Sequence, residues 1–355
     1  MTEKNTPALC DLVSMTFEEL NEFVVTELKQ PKFRAVQIAE WIRRGASFSE
    51  MTNLSAKLIV QLQEKAWLSY PTIFQKYVSQ IDGTVKFLYR MNDGEFVESV
   101  VMQYEHGYSI CLSTQAGCRM GCRFCASTIG GKVRDLLPGE ILGQILIAEK
   151  ELSIRISNIV LMGIGEPLDN YDNVIRFLRL VNSEKGLNIG YRHISLSTCG
   201  LADRIYRLAE EDMPLTLSIS LHASTDEARS EIMPVNKRFS LDALLTACRD
   251  YFDKTGRRIS FEYTLIAGKN DSQEDAARLA ALLKRYLGKR PLHVNLIPVN
   301  EVVESGFKRG NKASVAQFAK ELNALSINAT VRRTLGADIN ASCGQLRHNA
   351  DKNDC

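Results

Sequence analysis

The sequence predicts an α/β protein built around an incomplete, TIM-like (β/α)6 barrel, with a helical domain before it and a tail after it. Three observations carry this. Six apolar runs of strand length alternate with six runs of helical period from about residue 108 to 326. Before about residue 70 the periodicity is helical only. Between the two regions, Asp82-Gly83 and Asp93-Gly94 punctuate alternating residues, as hairpin turns do.

The elements follow in order. Thr16-Phe17-Glu18-Glu19 is a capping-box pattern, and Leu20, Phe23, Val24 and Leu28 continue it at helical spacing until Pro31. A second helix spans about Arg34 to Arg44, stopped by Gly45, and Ser55 caps a third that carries Leu58, Ile59 and Leu62. Residues 1–70 are therefore expected to form a helical accessory domain. Residues 71–107 read as an antiparallel β linker with strands at Val85–Tyr89 and Phe96–Tyr104. In residues 108–326 the strands are Tyr108–Ser113, Asn158–Met162, His193–Ser197, Leu215–Leu221, Ile259–Ile266 and His293–Pro298. Helices fall at about 138–151, 171–183, 201–210, 240–254, 273–287 and 313–325. Strand–helix alternation implies a parallel sheet with right-handed crossovers. The tail, 327–355, is harder to place and ends in a polar segment expected to fray.

Composition narrows the class. At 355 residues, 45% hydrophobic and 24% charged, the chain can bury a large core. Its net charge of +2 shows no general electrostatic grip on nucleic acid, so any such contact must use local clusters. Residues 1–15 lack a basic start followed by an apolar run, and no stretch of about 18 apolar residues occurs, so neither a signal peptide nor a membrane span is expected. The cysteines are Cys10, Cys111, Cys118, Cys122, Cys125, Cys199, Cys248, Cys343 and Cys355. An odd, clustered set in an unsecreted chain points to metal binding or catalysis and away from a disulfide framework.

Cys118, Cys122 and Cys125 sit within eight residues, spaced C-x3-C-x2-C, just after the first barrel strand. Three local thiolates suit an iron–sulfur cube, which needs four ligands, with one iron left open. The alternative is a zinc site completed by a distant His or Cys, for which no second knuckle is evident. Strand ends supply further polar groups. Gly163-Ile164-Gly165-Glu166-Pro167 follows the second strand, Ser197 ends the third, Ser220, Leu221 and His222 end the fourth, and Asn300 follows the sixth. All would converge on the C-terminal mouth of the barrel, where such folds place their active sites. Singly, Ser197 reads equally as a satisfied strand end and His222 as a helix cap. Cys343, among Ala341, Ser342 and Gly344, reads either as an accessible loop thiol or as a small buried residue.

The cysteine triplet, with Phe124 before its last member, resembles the radical S-adenosylmethionine (SAM) signature. The segments RAVQIAEWIRRG, MTNLS, VESV, CLSTQAGC, CRMGCRFC, GIGEPLDNYDNV, LSTCG, SISLHA, EIMPVN, FEYTLIAGKND, HVNLIPVN and ADINASCGQL run in order from about residue 33 to 347. Together they resemble the RlmN family of dual-specificity adenine carbon-2 methyltransferases acting on 23S rRNA and tRNA. The resemblance implies a radical SAM partial barrel in which Cys118, Cys122 and Cys125 hold a 4Fe–4S cluster and the open iron chelates SAM. It implies SAM contacts from Gly165, Glu166, Ser197, Ser220, Leu221, His222 and Asn300. Cys343 would carry the methyl group, with two SAM used per turnover, and Glu98 would act as general base. Cys111 would release the product through a transient Cys111–Cys343 disulfide. The implied substrates are an adenine at the peptidyl transferase centre of 23S rRNA and one beside the tRNA anticodon. An electron donor such as flavodoxin or ferredoxin, a monomeric state and a cytoplasmic location are also implied.

For RNA contacts, the basic groups are Lys32, Arg34, Arg43 and Arg44; Arg119, Arg123, Lys132 and Arg134; and Arg332 and Arg333, each equally readable as a solvated face. A base entering a barrel mouth must be flipped or already unpaired. Because the Cys343 thiol must meet SAM, adenine and Cys111 in turn, the tail is expected to move. The rivals are the sister family that methylates adenine carbon 8, against which Pro167 in GEPLDN speaks, and a non-enzymatic, metal-stabilised RNA-binding factor. A glycyl-radical activating enzyme is a third, needing neither Cys343 nor Glu98.

Overall fold

The structure is a computed structural model and describes residues 9–347. Cys355 and the polar end expected to fray lie outside the described residues.

The N-terminal helices are α1 (Phe17–Thr26), α2 (Phe33–Arg43) and α3 (Ala56–Lys65). Thr16 and Glu19 form the expected capping box on α1, and the Ser55 side chain accepts from the Leu58 N–H to cap α3. Helix α1 stops at Thr26, short of Pro31, because Lys29 turns left-handed at φ 54° and redirects the chain.

Next come β1 (Thr72–Val78), β2 (Val85–Arg90), β3 (Phe96–Tyr104) and β4 (Gly107–Cys111), all antiparallel in sequence. The first two hairpins turn through Gly83 and Gly94 at φ 71° and 94°, as the Asp-Gly pairs predict. These strands are no separate ribbon. They continue hydrogen bonding into the main sheet, which has ten strands. From β4 onward pairing is parallel: β5 (Ile156–Leu161), β6 (Ile194–Thr198), β7 (Thr216–Ser220), β8 (Ile259–Leu265), β9 (Leu292–Pro298) and β10 (Ala329–Val331).

Helices α4 (Pro138–Leu152), α5 (Tyr171–Asn182), α6 (Ala202–Ala209), α7 (Asp226–Ile232), α8 (Leu241–Thr255), α9 (Gln273–Leu287) and α10 (Lys312–Ala324) fill the crossovers. The six expected strands and six expected barrel helices all appear. Elements not foreseen include β1, α7 and, in the tail, β10. Strand order in the sheet follows chain order throughout. Ile159, Leu196, Leu217, Phe261 and Leu296 on the strands are fully buried in one core with Ile145, Val174, Ile205, Leu244 and Leu279 of the helices. Helices covering a parallel sheet demand such apolar strands. Among the described residues no helix is long and apolar enough to cross a membrane.

Candidate active site

The strand ends and the loops after them open into one cavity of about 150 Å³. Its walls include Cys118, Cys122 and Cys125, then Gly165, Glu166, Ser197, Ser220, His222 and Asn300, and finally Cys343 from the tail. Groups scattered from residue 118 to 343 thus share one mouth, as the parallel sheet requires.

The cysteine loop is held at both ends. The Cys118 N–H donates to the Gly131 carbonyl at 3.0 Å, and the Arg123 N–H donates to the Ile232 carbonyl at 2.9 Å. Burial pushes the Cys118 thiol up to about 12, and raises Cys122 and Cys125 as well; for Cys122 the two neighbouring thiols add to it.

Gly165 sits at φ 105°, and a Cβ there would lie 2.6 Å from the Gln115 Cβ, so only glycine lets the loop pass. This delivers Glu166 to the cavity wall, buried. Its Oε2 accepts from the Cys199 N–H at 2.7 Å and its Oε1 from the Leu168 N–H at 3.0 Å, and the Cys199 thiol and Thr198 hydroxyl also reach the carboxylate. Burial raises its pKa against those bonds. Cys199 also lines the cavity, and its thiol bonds Glu166. His222 is buried at φ 56°, and its Nδ1 accepts from the Thr264 N–H at 2.9 Å. Burial, then the Arg229 charge, pull its pKa to about 3. The ring is therefore neutral, with its proton on Nε2. The Phe124 ring meets it edge-on, centroids 4.8 Å apart.

The tail closes one side. Asn300 Nδ2 donates to the Cys343 carbonyl at 3.0 Å, the Ala126 N–H to the Gly344 carbonyl at 2.7 Å, and Ser127 Oγ to the Leu346 carbonyl at 2.8 Å. Upstream, Asp338 accepts from Ser79 Oγ at 2.7 Å and the Gln80 N–H at 2.9 Å, while the Gly336 N–H reaches Asp82 at 2.9 Å. The β1–β2 turn thus clasps the tail.

Some expected residues stand apart. Leu221 does not line the cavity. Its side chain is in the core, its N–H donates to the Glu262 carbonyl at 3.0 Å, and its own carbonyl accepts from Arg229 at 3.0 Å. Cys111 ends β4 in a small apolar cluster with Ala341 and Leu346, which flank Cys343 in sequence. Burial, then Cys343, push its thiol up to about 12. All eight described cysteines are free thiols, so the expected disulfide is not present in the structure. Glu98 opens on a different cavity, of about 180 Å³, with Tyr77, Lys86, Glu301 and Arg347. Lys86 Nζ lies 2.9 Å from its Oε1, and the Arg347 N–H donates to its Oε2 at 2.7 Å. Burial raises its pKa, opposed chiefly by Lys86.

Two arginines were misjudged. Arg332, grouped with Arg333 as a candidate RNA contact, turns inward to Glu262 at 3.7 Å, and Cys343 then Glu262 hold its charge in place. Arg229 was not singled out at all. Of the other basic groups, Arg119 and Lys132 pair with Asp169, and Arg134 pairs with Asp93 and Glu140. Lys32, Arg43 and Arg44 remain exposed, Lys32 next to the 55% exposed Phe33 at the start of α2 and Arg44 over the Trp41 ring at its end.

Among the described residues no three His, Cys, Asp or Glu side chains meet as ligands of one ion. A cube asks for something else, since each thiolate takes a different iron. Three thiols on one cavity, Cys118 and Cys122 buried and Cys125 half-buried, fit that donor set, and bound metal would deprotonate them.

Residues 112–280 match the model of the radical SAM superfamily. The crystal structure of a radical SAM methyltransferase from Sphaerobacter thermophilus superposes with a TM-score of 0.90 at 40% identity, covering 95% of this chain and 99% of that one. Fold and cavity together define a radical SAM protein. Residues 10–68 match the ribosomal RNA large subunit methyltransferase N-terminal domain. The probable dual-specificity RNA methyltransferase RlmN of Clostridium botulinum (strain Alaska E43 / Type E3) is 53% identical over 338 residues, covering 95% of this chain and 96% of its own length. That of Alkaliphilus oremlandii (strain OhILAs) is 52% identical over 338 residues, covering 95% and 97%. The chain belongs to the RlmN family.

Proposed function

We propose that the protein methylates carbon 2 of an adenine in 23S rRNA, at the peptidyl transferase centre, and in tRNA, beside the anticodon, using Cys343 as methyl carrier. The observation that carries this reading is the position of Cys343: a thiol outside the cysteine triplet, pinned through its own and the next carbonyl over the same cavity. A structural metal site or a glycyl-radical activating enzyme has no use for it.

In this reading Cys118, Cys122 and Cys125 hold a 4Fe–4S cluster, and Glu166, Ser197, Ser220, His222, Asn300 and the Gly165 backbone hold SAM. Leu221 contributes by fixing the end of β7. When bound, cluster and SAM supply an electron, a methyl group and a hydrogen-abstracting radical. Adenine carbon 2 is electron-poor and no nucleophile, so the methyl is first parked on Cys343, two SAM being spent per turnover. Arg332, turned inward to Glu262, lines the same cavity as Cys343. Glu98 removes the carbon-2 proton. Cys111 then attacks the Cys343 sulfur, and the product leaves as a Cys111–Cys343 disulfide forms. Glu98 serves only once the Arg347 contact opens, so the tail moves during the cycle. The exposed Lys32, Arg43 and Arg44, at the two ends of α2, offer phosphate contacts. We take the working form to be a cytoplasmic monomer served by flavodoxin or ferredoxin.

The test is anaerobic reconstitution, then incubation with methyl-labelled SAM, reductant and a 23S rRNA hairpin or tRNA, with mass spectrometry of RNA and protein. Labelled 2-methyladenosine, and a labelled Cys343 when RNA is withheld, is the expected result. 8-methyladenosine would overturn the target atom, and no methylated base the activity.

A further inference from the structure

Arg229 heads the fully buried side chains, with none of its surface exposed. It stands on α7, behind the cavity wall. Its Nε donates to the Leu221 carbonyl at 3.0 Å and its Nη1 to Asn236 Oδ1 at 2.9 Å. Its Nη2 donates to the carbonyls of Cys199 at 2.6 Å and Ser220 at 3.0 Å. All four acceptors are neutral. The carboxylate of Asp226, on the same helix, is spent on Asn236 Nδ2 and the Leu241 N–H. A guanidinium keeps its proton in proteins, and an isolated buried charge is costly unless an anion answers it. The fold nonetheless keeps space for it: Gly200 sits at φ 106°, and a Cβ there would stand 3.2 Å from Nη2.

The anion is suggested by what α7 touches. The Arg123 N–H, inside the cysteine loop, bonds the carbonyl of Ile232, the last residue of α7. Met233, the next residue, lines the cavity. Cys199 and Ser220, which Arg229 grips, line it too. Burial pulls the guanidinium pKa down, and Asp226 is among the groups that push it back up, though no carboxylate among the described residues comes into salt-bridge contact with it. A cube held by three thiolates carries one net negative charge when oxidised and two when reduced.

We infer that Arg229 is the built-in counter-charge of the cluster site, a positioning residue that ties the ends of β6 and β7 to the cysteine loop and favours the reduced cluster. This rests on the reading of Cys118, Cys122 and Cys125 as cluster ligands. Reduction takes one electron from an external low-potential donor and adds one negative charge to the cluster. A nearby fixed positive charge stabilises the reduced form more than the oxidised one.

The experiment uses the full chain, reconstituted anaerobically, with iron and sulfide counted and the cluster titrated with dithionite under electron paramagnetic resonance, without SAM or RNA. Wild type must first show the cluster signal; if it does not, the ligand reading fails, independently of Arg229. Arg229→Gln is expected to lower the reduced-to-oxidised ratio at a fixed potential about tenfold, a midpoint about 59 mV more negative for one electron. Arg229→Lys, which keeps the charge and loses the fork, is expected within about threefold of wild type. Loading of the Lys variant alone would also support the inference. Equal midpoints in all three proteins, a Lys midpoint as low as that of Gln, or loss of the cluster from the Lys variant would overturn it, leaving Arg229 a purely structural tie.

Discussion

The two cavities flanking the tail handle charge in opposite ways. The cavity at the cysteine triplet is walled by thiols raised by burial, a neutral His222 and the buried Glu166 carboxylate, backed by an arginine with no carboxylate in salt-bridge contact among the described residues. The cavity at Glu98 is already neutralised: Lys86 answers Glu98, and Arg347 answers Glu304 at 2.9 Å. A site whose charges are unanswered is shaped for a charged guest, here a metal cluster with the SAM head group. A site whose charges cancel suits a neutral guest such as a base, admitted when a contact opens. The segment carrying Cys343 is the partition between them.

Four experiments would break or sharpen that contrast. Cys343→Ala removes the partition's thiol, so base methylation should fall at least about a thousandfold by mass spectrometry. The iron–sulfur absorbance should stay, because Cys343 is no ligand; its loss would merge the two sites. Glu98→Gln should slow methylation about 100- to 10,000-fold, the usual share of a general base. Methyl transfer to Cys343 without RNA should continue, since that step belongs to the other cavity.

Lys86→Met tests the neutralised pair. Burial already raises the Glu98 pKa, and Lys86 is the first group opposing it. The base form is lost as pH falls through that raised pKa, so removing Lys86 should move the acid limb of the methylation pH profile to higher pH. A carboxyl with a raised folded pKa costs stability as pH rises from the unfolded value through the folded one. Denaturation should therefore show a loss of about 3 kcal/mol at neutral pH, shrinking on acidification. A profile unmoved by the substitution would separate Glu98 from catalysis. The smallest effect is expected for Asp82→Ala, which frees the Gly336 N–H from the clasp. Loss of one such bond, about 1 kcal/mol, should speed hydrogen exchange of residues 335–347 about fivefold. No change would show the Gly336 bond to be dispensable, the tail being held by Asp338 on Ser79 and Gln80 and by the barrel side.

Much of this was legible in the sequence. Strands β4 to β9 announce themselves as apolar runs, and their ends bring Glu166, Ser197, Ser220 and Asn300 to one mouth for topological reasons alone. Glu98 was named through resemblance, but no pattern shows that Lys86 and the tail enclose it in a separate chamber, because that depends on packing between distant segments. Leu221 was read as a contact, yet a leucine at a strand end keeps its side chain in the core. Arg229 was invisible for a sharper reason. It lies on a helix of seven residues, too short for periodicity to declare, and arginines are expected outside unless paired. Arg332 was misplaced by the same habit. The tail strand β10 spans three residues, and its pairing with β9 is set by the sheet edge, not by its own sequence.

The order of the sheet has a consequence for how the protein is made. Each strand pairs with the one synthesised just before it, so the sheet can grow while the chain is still leaving the ribosome, from the β1–β4 meander outward. The cysteine triplet emerges early in that growth and Cys343 comes last. The newborn enzyme therefore passes through a stage in which the chamber is built but uncovered, giving iron delivery an open door that the finished chain later shuts behind it.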